Sequence, residues 1–166
     1  MEFLVCAGLT DQASVRIGFI IITFLPPTGL YLSIKIADLD RPEVILYFLA
    51  GLLFSIYFAI IPESVVLMDC NPLYAVYFYG QSIIYGLYYY FTIAVGMYLL
   101  VYHLYTERQG NRDDFLLLLG YLAFLLPIGL MSLFDPTITS AVPSIMCKYA
   151  FSLALILAFM ALKRSS

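Results

Sequence analysis

Charge is scarce in this chain. Asp, Glu, Lys and Arg together make up 11% of its 166 residues, against 63% hydrophobic residues. So few charges cannot keep that much apolar surface in water as a soluble domain, and the bilayer must act as part of the solvent. Histidine occurs once, at position 103, and cysteine three times, at 6, 70 and 147, with no metal-ligand spacing among them. No base lies near a serine on the same side of the membrane, so the usual metal sites and nucleophiles are lacking. No catalytic residue, cofactor-binding residue, metal ligand or cofactor is expected, and the chain reads as non-enzymatic. A glycine-rich phosphate loop and a basic nucleic-acid stripe are also missing, which argues against nucleotide and nucleic-acid partners. The formal charge of −3 is too small to imply a partner of its own.

What the chain has instead is long apolar runs, over about residues 15–37, 44–61, 73–103, 115–134 and 142–162. Each can cross a hydrocarbon core of about 30 Å at about 1.5 Å per residue. Apolar runs without strict alternation select helix over barrel. The expected fold class is therefore all-α, a polytopic integral membrane bundle of five transmembrane helices forming a single transmembrane domain over 1–166. The connections are too short to hold a soluble catalytic domain. Lys35, Arg41, Arg108, Arg112, Lys163 and Arg164 fall on one side of the alternation, and Arg16 alone falls on the other. Basic residues near helix ends stay cytoplasmic, so the N-terminus is expected outside and the C-terminus inside, in a plasma or inner membrane. The first ten residues carry no basic n-region or cleavage pattern, so no removable signal peptide is expected. All three cysteines fall toward the outer half; inert thiols are the plain reading, with a Cys6–Cys70 bridge as the alternative.

Prolines mark the first and fourth runs. Pro26, Pro27 and Pro127 lie near mid-membrane, where a missing N–H and a crowded preceding turn should kink each helix. Pro27-Thr28-Gly29-Leu30 resembles Pro127-Ile128-Gly129-Leu130, and Pro42 resembles Pro143. These pairs fit a 2+1+2 inverted repeat of the kind found in transporters, or coincidence among proline-bearing apolar helices.

The third run would extend about 50 Å as one helix, longer than a bilayer requires, so tilt or projection is expected. Tyr74, Tyr77, Gln81, Tyr85, Tyr88, Thr92, Gly96, Leu99 and His103 recur along it at helical spacing. A stripe of hydroxyls has no partners among lipid tails and should face other helices or a wet cleft. Gln81, Tyr85, Tyr88 and Thr92 are therefore candidates for a polar bundle core or a ligand lining. Tyr74, Tyr77, Tyr79, Tyr102 and Tyr105 read as interfacial belts. Lys148, at shallow depth in the fifth run, either snorkels, pairs with an outer carboxylate such as Asp135, Glu63 or Asp69, or binds a ligand. Asp69, Asn71 and Asp135 read as turn and helix-start signals, Asp113 and Asp114 as the acidic start of the fourth helix, and His103 as an interfacial side chain.

The run Val15-Arg16-Ile17-Gly18-Phe19, then Phe24-Leu25-Pro26-Pro27, the tyrosine-rich stretch 80–90, the basic loop 108–112, and Leu119-Gly120 with Pro127 resemble the membrane-embedded N-terminal sensor region of microbial histidine kinases. That region has seven helices in the family, and the likeness covers the last five, without the PAS-like or kinase module. The resemblance implies a small ligand in the outer half of the bundle and kinked helices that relay its presence inward. The expected function is that of a small sensor-like or accessory bundle acting through a membrane-protein partner or as a homo-oligomer. The alternatives are a small transporter built on the inverted repeat and a structural subunit of a membrane assembly.

Overall fold

The computed structural model describes residues 12–70, 75–79, 81–106, 112–134, 149 and 155. They are mostly helical, and the fold is all-α with one added hairpin. Helix α1 (Gln12–Thr23) and helix α2 (Leu25–Ile36) are one apolar rod interrupted at Phe24, just before Pro26 and Pro27. The chain leaves α2 through Asp38 at φ 49°, a left-handed conformation that Asp tolerates. Leu39 N–H closes back on Ile34 O at 3.0 Å, which satisfies a terminal carbonyl as a Schellman turn does. Helix α3 (Val44–Ile60) and a 3-10 turn (Pro62–Ser64) lead into strand β1 (Val65–Cys70). Strand β2 (Ala75–Tyr79) precedes helix α4 (Ser82–Thr106), and helix α5 is Arg112–Phe134.

Each helix turns one stripe inward. On α3 the buried stripe is Gly51, Ser55 and Phe58, at the spacing of one helical face, while Ile45, Leu49, Leu52, Leu53, Ile56 and Ile60 stay exposed. On α4 it is Tyr85, Tyr89, Thr92, Ile93, Gly96 and Leu100, and on α5 Leu117, Tyr121 and Phe124. The broadest contact is α2 on α4, followed by α1 on α3, with α5 leaning on α4 and α2.

The sequence places a helix over 73–103, and the structure corrects its start. Residues 75–79 form an antiparallel hairpin with 65–70, pairing Val65 with Tyr79, Val66 with Phe78 and Leu67 with Tyr77, with a bulge before Asp69. Both segments are rich in β-branched and aromatic residues, and Asn71-Pro72 stands between them in the sequence, a composition that favours a hairpin over one long helix. Tyr77 thus belongs to a strand and not to the α4 stripe; its buried ring meets Phe19 edge-on at 5.6 Å. Beginning at Ser82, α4 spans about 37 Å at about 1.5 Å per residue, and the excess length disappears.

Two stretches are long and apolar enough to cross a membrane, Ala13–Ile36 and Ile83–Thr106, and Val44–Ile60 and Asp114–Pro127 are apolar over shorter lengths. The expectation of five such spans is therefore met by two among the described residues. Of the segment 142–162 all but 149 and 155 lie outside them, Lys148 included, as do Cys6, Cys147 and the side chain of Cys70. Pro127 lies inside α5, which runs through it without interruption.

Candidate functional site

Proline carries no N–H, so Pro27 cannot donate to the carbonyl four residues back, that of Thr23. The freed acceptor is met from another helix. The Tyr88 phenol, on α4, donates to Thr23 O at 3.1 Å and to Tyr47 O, on α3, at 3.3 Å, its single proton shared between them. One turn earlier on α4, the Tyr85 phenol lies 3.1 Å from Thr23 Oγ1. That hydroxyl is committed as donor to Phe19 O at 2.7 Å, so Tyr85 donates to it. Two tyrosines thus grip one threonine at the break between α1 and α2. Thr92, fully buried, returns its hydroxyl to Tyr88 O at 2.6 Å.

Close approach is what makes the grip work. A Cβ on Gly51 would lie 2.8 Å from the Tyr88 hydroxyl, so only glycine lets the phenol rest on the α3 backbone. A second tyrosine is seated the same way. The Tyr121 hydroxyl, on α5, is 3.3 Å from Ser33 Oγ and would be 2.5 Å from a Cβ on Gly29 and 3.0 Å from one on Gly96. Tyrosine hydroxyls on glycine backbones therefore tie α4 to α3 and α5 to α2. Between helices in a membrane, packing and such hydrogen bonds supply the association energy, since lipid tails are as apolar as the side chains they would replace.

An aromatic column connects the grip to the hairpin. Phe58 stands edge-on to Tyr85 at 5.3 Å and to Phe19 at 5.6 Å, and Phe19 meets Tyr77 of the hairpin. Phe54 lies 5.2 Å from both Tyr85 and Tyr88. Pairs of this geometry contribute about 0.5–1.5 kcal/mol each beyond their buried area.

Of the residues singled out from sequence, Tyr85, Tyr88 and Thr92 come together with Pro26 and Pro27 at the break. Gln81 is exposed and sits apart, on the rim of a cavity of about 260 Å³ lined also by Ala50, Leu53, Phe54 and Tyr57. Sequence reasoning missed Thr23, Tyr47, Gly51 and the Ser33–Tyr121 pair. The signal for Thr23 was present, because it stands four residues before Pro27. Reasoning from sequence also missed the pairing of His103 with Asp114, whose Nδ1 and Oδ2 are 3.1 Å apart, with the Asp114 side chain fully buried. Asp114 is an interhelical anchor between α4 and α5 within the first turn of α5, and His103 is its partner. Tyr102 and Tyr105 are exposed near the same end of α4. Among the described residues no group of His, Cys, Asp and Glu could hold a metal ion. Comparison with protein-family models, with curated proteins and with solved structures finds no match to this chain.

Proposed function

We propose that this chain is a non-enzymatic, multi-pass membrane protein of a plasma or inner membrane, with five spans, the N-terminus outside and the C-terminus inside, acting as a sensor-like or accessory bundle through a membrane partner. The observation that carries the reading is the grip of Tyr85 and Tyr88 on Thr23, at a break where two prolines remove helical hydrogen bonds. A rod so interrupted has a hinge, and side-chain hydrogen bonds from its neighbours set which arrangement it holds.

The polar stripe supports a sensor over a transporter, because Tyr85, Tyr88 and Thr92 direct their hydroxyls to helix backbones and to Thr23. Transport requires water to reach those atoms. The two apolar spans and the large apolar side chains exposed along α3 and α4 support the membrane setting. The basic residues at 35, 41, 108 and 112 support the orientation. A photo-crosslinker placed in turn at positions 108 to 112 in native membranes tests the reading. It is expected to capture a membrane-protein partner from the inner side, and repeated failure at all these positions overturns it.

A further inference from the structure

The cavity between α3 and the start of α4 has walls of one consistent kind. Ala50, Leu53, Phe54 and Tyr57 of α3 form its apolar and aromatic side, and the Gln81 amide supplies a neutral polar group; among the described residues no charged side chain lines it. At about 260 Å³ it is slightly smaller than a drug-sized pocket, typically about 300–1,000 Å³. Leu53 and Gln81 are both exposed, so the opening lies on the apolar outer face of α3, where a membrane-dissolved molecule arrives. An ion or a sugar would lose its hydration here for one amide, which the lining does not repay.

From these features we infer that this cavity binds a small, neutral, membrane-soluble aromatic molecule carrying one hydrogen-bonding group. Its ring packs against Phe54 and Tyr57, and its polar group meets the Gln81 amide, which can donate or accept. Phe54 is the link to the rest of the bundle, because the same ring that walls the cavity lies 5.2 Å from Tyr85 and from Tyr88. Occupancy that moves Phe54 bears on the two phenols that hold the α1–α2 break. The inference deepens the sensor-like reading and rests on it for its consequence, whereas the site itself stands on the cavity.

The test uses the full chain in nanodiscs of dioleoylphosphatidylcholine, with indole as the probe. The chain has no tryptophan, so indole fluorescence excited beyond the tyrosine band reports the probe alone. Equilibrium dialysis against protein-free discs should reveal a saturable component of one indole per chain. Ala50→Leu, which fills the cavity, should abolish it. Gln81→Leu, at an exposed position that the fold tolerates, should weaken it about fivefold, the loss of one hydrogen bond. Naphthalene, which lacks that bond, should bind the same to wild type and to Gln81→Leu. Absence of a saturable component, or full binding by both variants, overturns the proposal. So does a phospholipid that co-purifies with wild type and is lost from Ala50→Leu while indole fails to bind, since the occupant is then an acyl chain. Loss of indole binding leaves crosslinking from 108 to 112 unaffected, so failure of the site and failure of the sensor-like reading are told apart.

Discussion

The Tyr88 phenol lies 3.1 Å from the Thr23 carbonyl oxygen, the acceptor that Pro27 leaves without a helical donor. The bond therefore repairs a defect in another helix. Tyr88→Phe keeps the ring and its contact with Phe54 but removes the donor, and should cost about 1–2 kcal/mol in an unfolding equilibrium in micelles. Pro27→Ala restores the missing N–H, so the same Tyr88→Phe change should cost less in that background. The double-mutant cycle should therefore show coupling, and additive effects would show that the two residues do not share an acceptor.

Glycine substitutions test how closely the phenols sit. Gly51→Ala places a methyl 2.8 Å from the Tyr88 hydroxyl, and Gly29→Ala places one 2.5 Å from that of Tyr121. Each should destabilise by about 1–3 kcal/mol through overpacking. Tyr88→Phe should relieve the first clash, which involves the hydroxyl oxygen. Tyr121→Phe should relieve the second only in part, because ring carbons stand 3.2 Å from the same point.

The His103–Asp114 pair should matter at the opposite end of α4. His103→Ala removes a hydrogen-bond partner from a fully buried carboxylate and should lower stability by about 1–3 kcal/mol, read as a fall in thermal midpoint at neutral pH. His103→Ala combined with Asp114→Leu should recover part of the loss, since an apolar pair removes the buried polar group that the histidine served. A surface histidine without structural role would leave the midpoint unmoved on His103→Ala.

Much of this arrangement was legible in the sequence because helical spacing and proline chemistry are local. The apolar runs locate α1 through α5, and the spacing of Tyr85, Tyr88 and Thr92 places them on one face turned toward other helices. Pro26 and Pro27 mark the interruption at Phe24. The hairpin was hidden because residues 75–79 are apolar and aromatic, a short run that suits a strand or a helix end equally until the pairing with 65–70 is known. The partners of the tyrosines were hidden for a different reason. Thr23 with Tyr85, Ser33 with Tyr121 and His103 with Asp114 lie 62, 88 and 11 positions apart, and which helix faces which is a property of packing. Glycine gave no sign of its role at 29, 51 or 96, where only the approach of a phenol explains it.

The central claim is that the polar face of α4 is a dry, hydrogen-bonded seam closing the break in the first rod. Cysteine accessibility tests it most directly, in a background with Cys6, Cys70 and Cys147 replaced by serine and reagents applied from each side of the membrane. Cysteine at Tyr85, Tyr88 and Thr92 is expected to stay unlabelled by a water-soluble maleimide from either side, while cysteine at the exposed Glu63 labels from the outside. Labelling of Tyr88→Cys or Thr92→Cys from both sides would mean a water path through the bundle, and would replace the sensor-like account with transport.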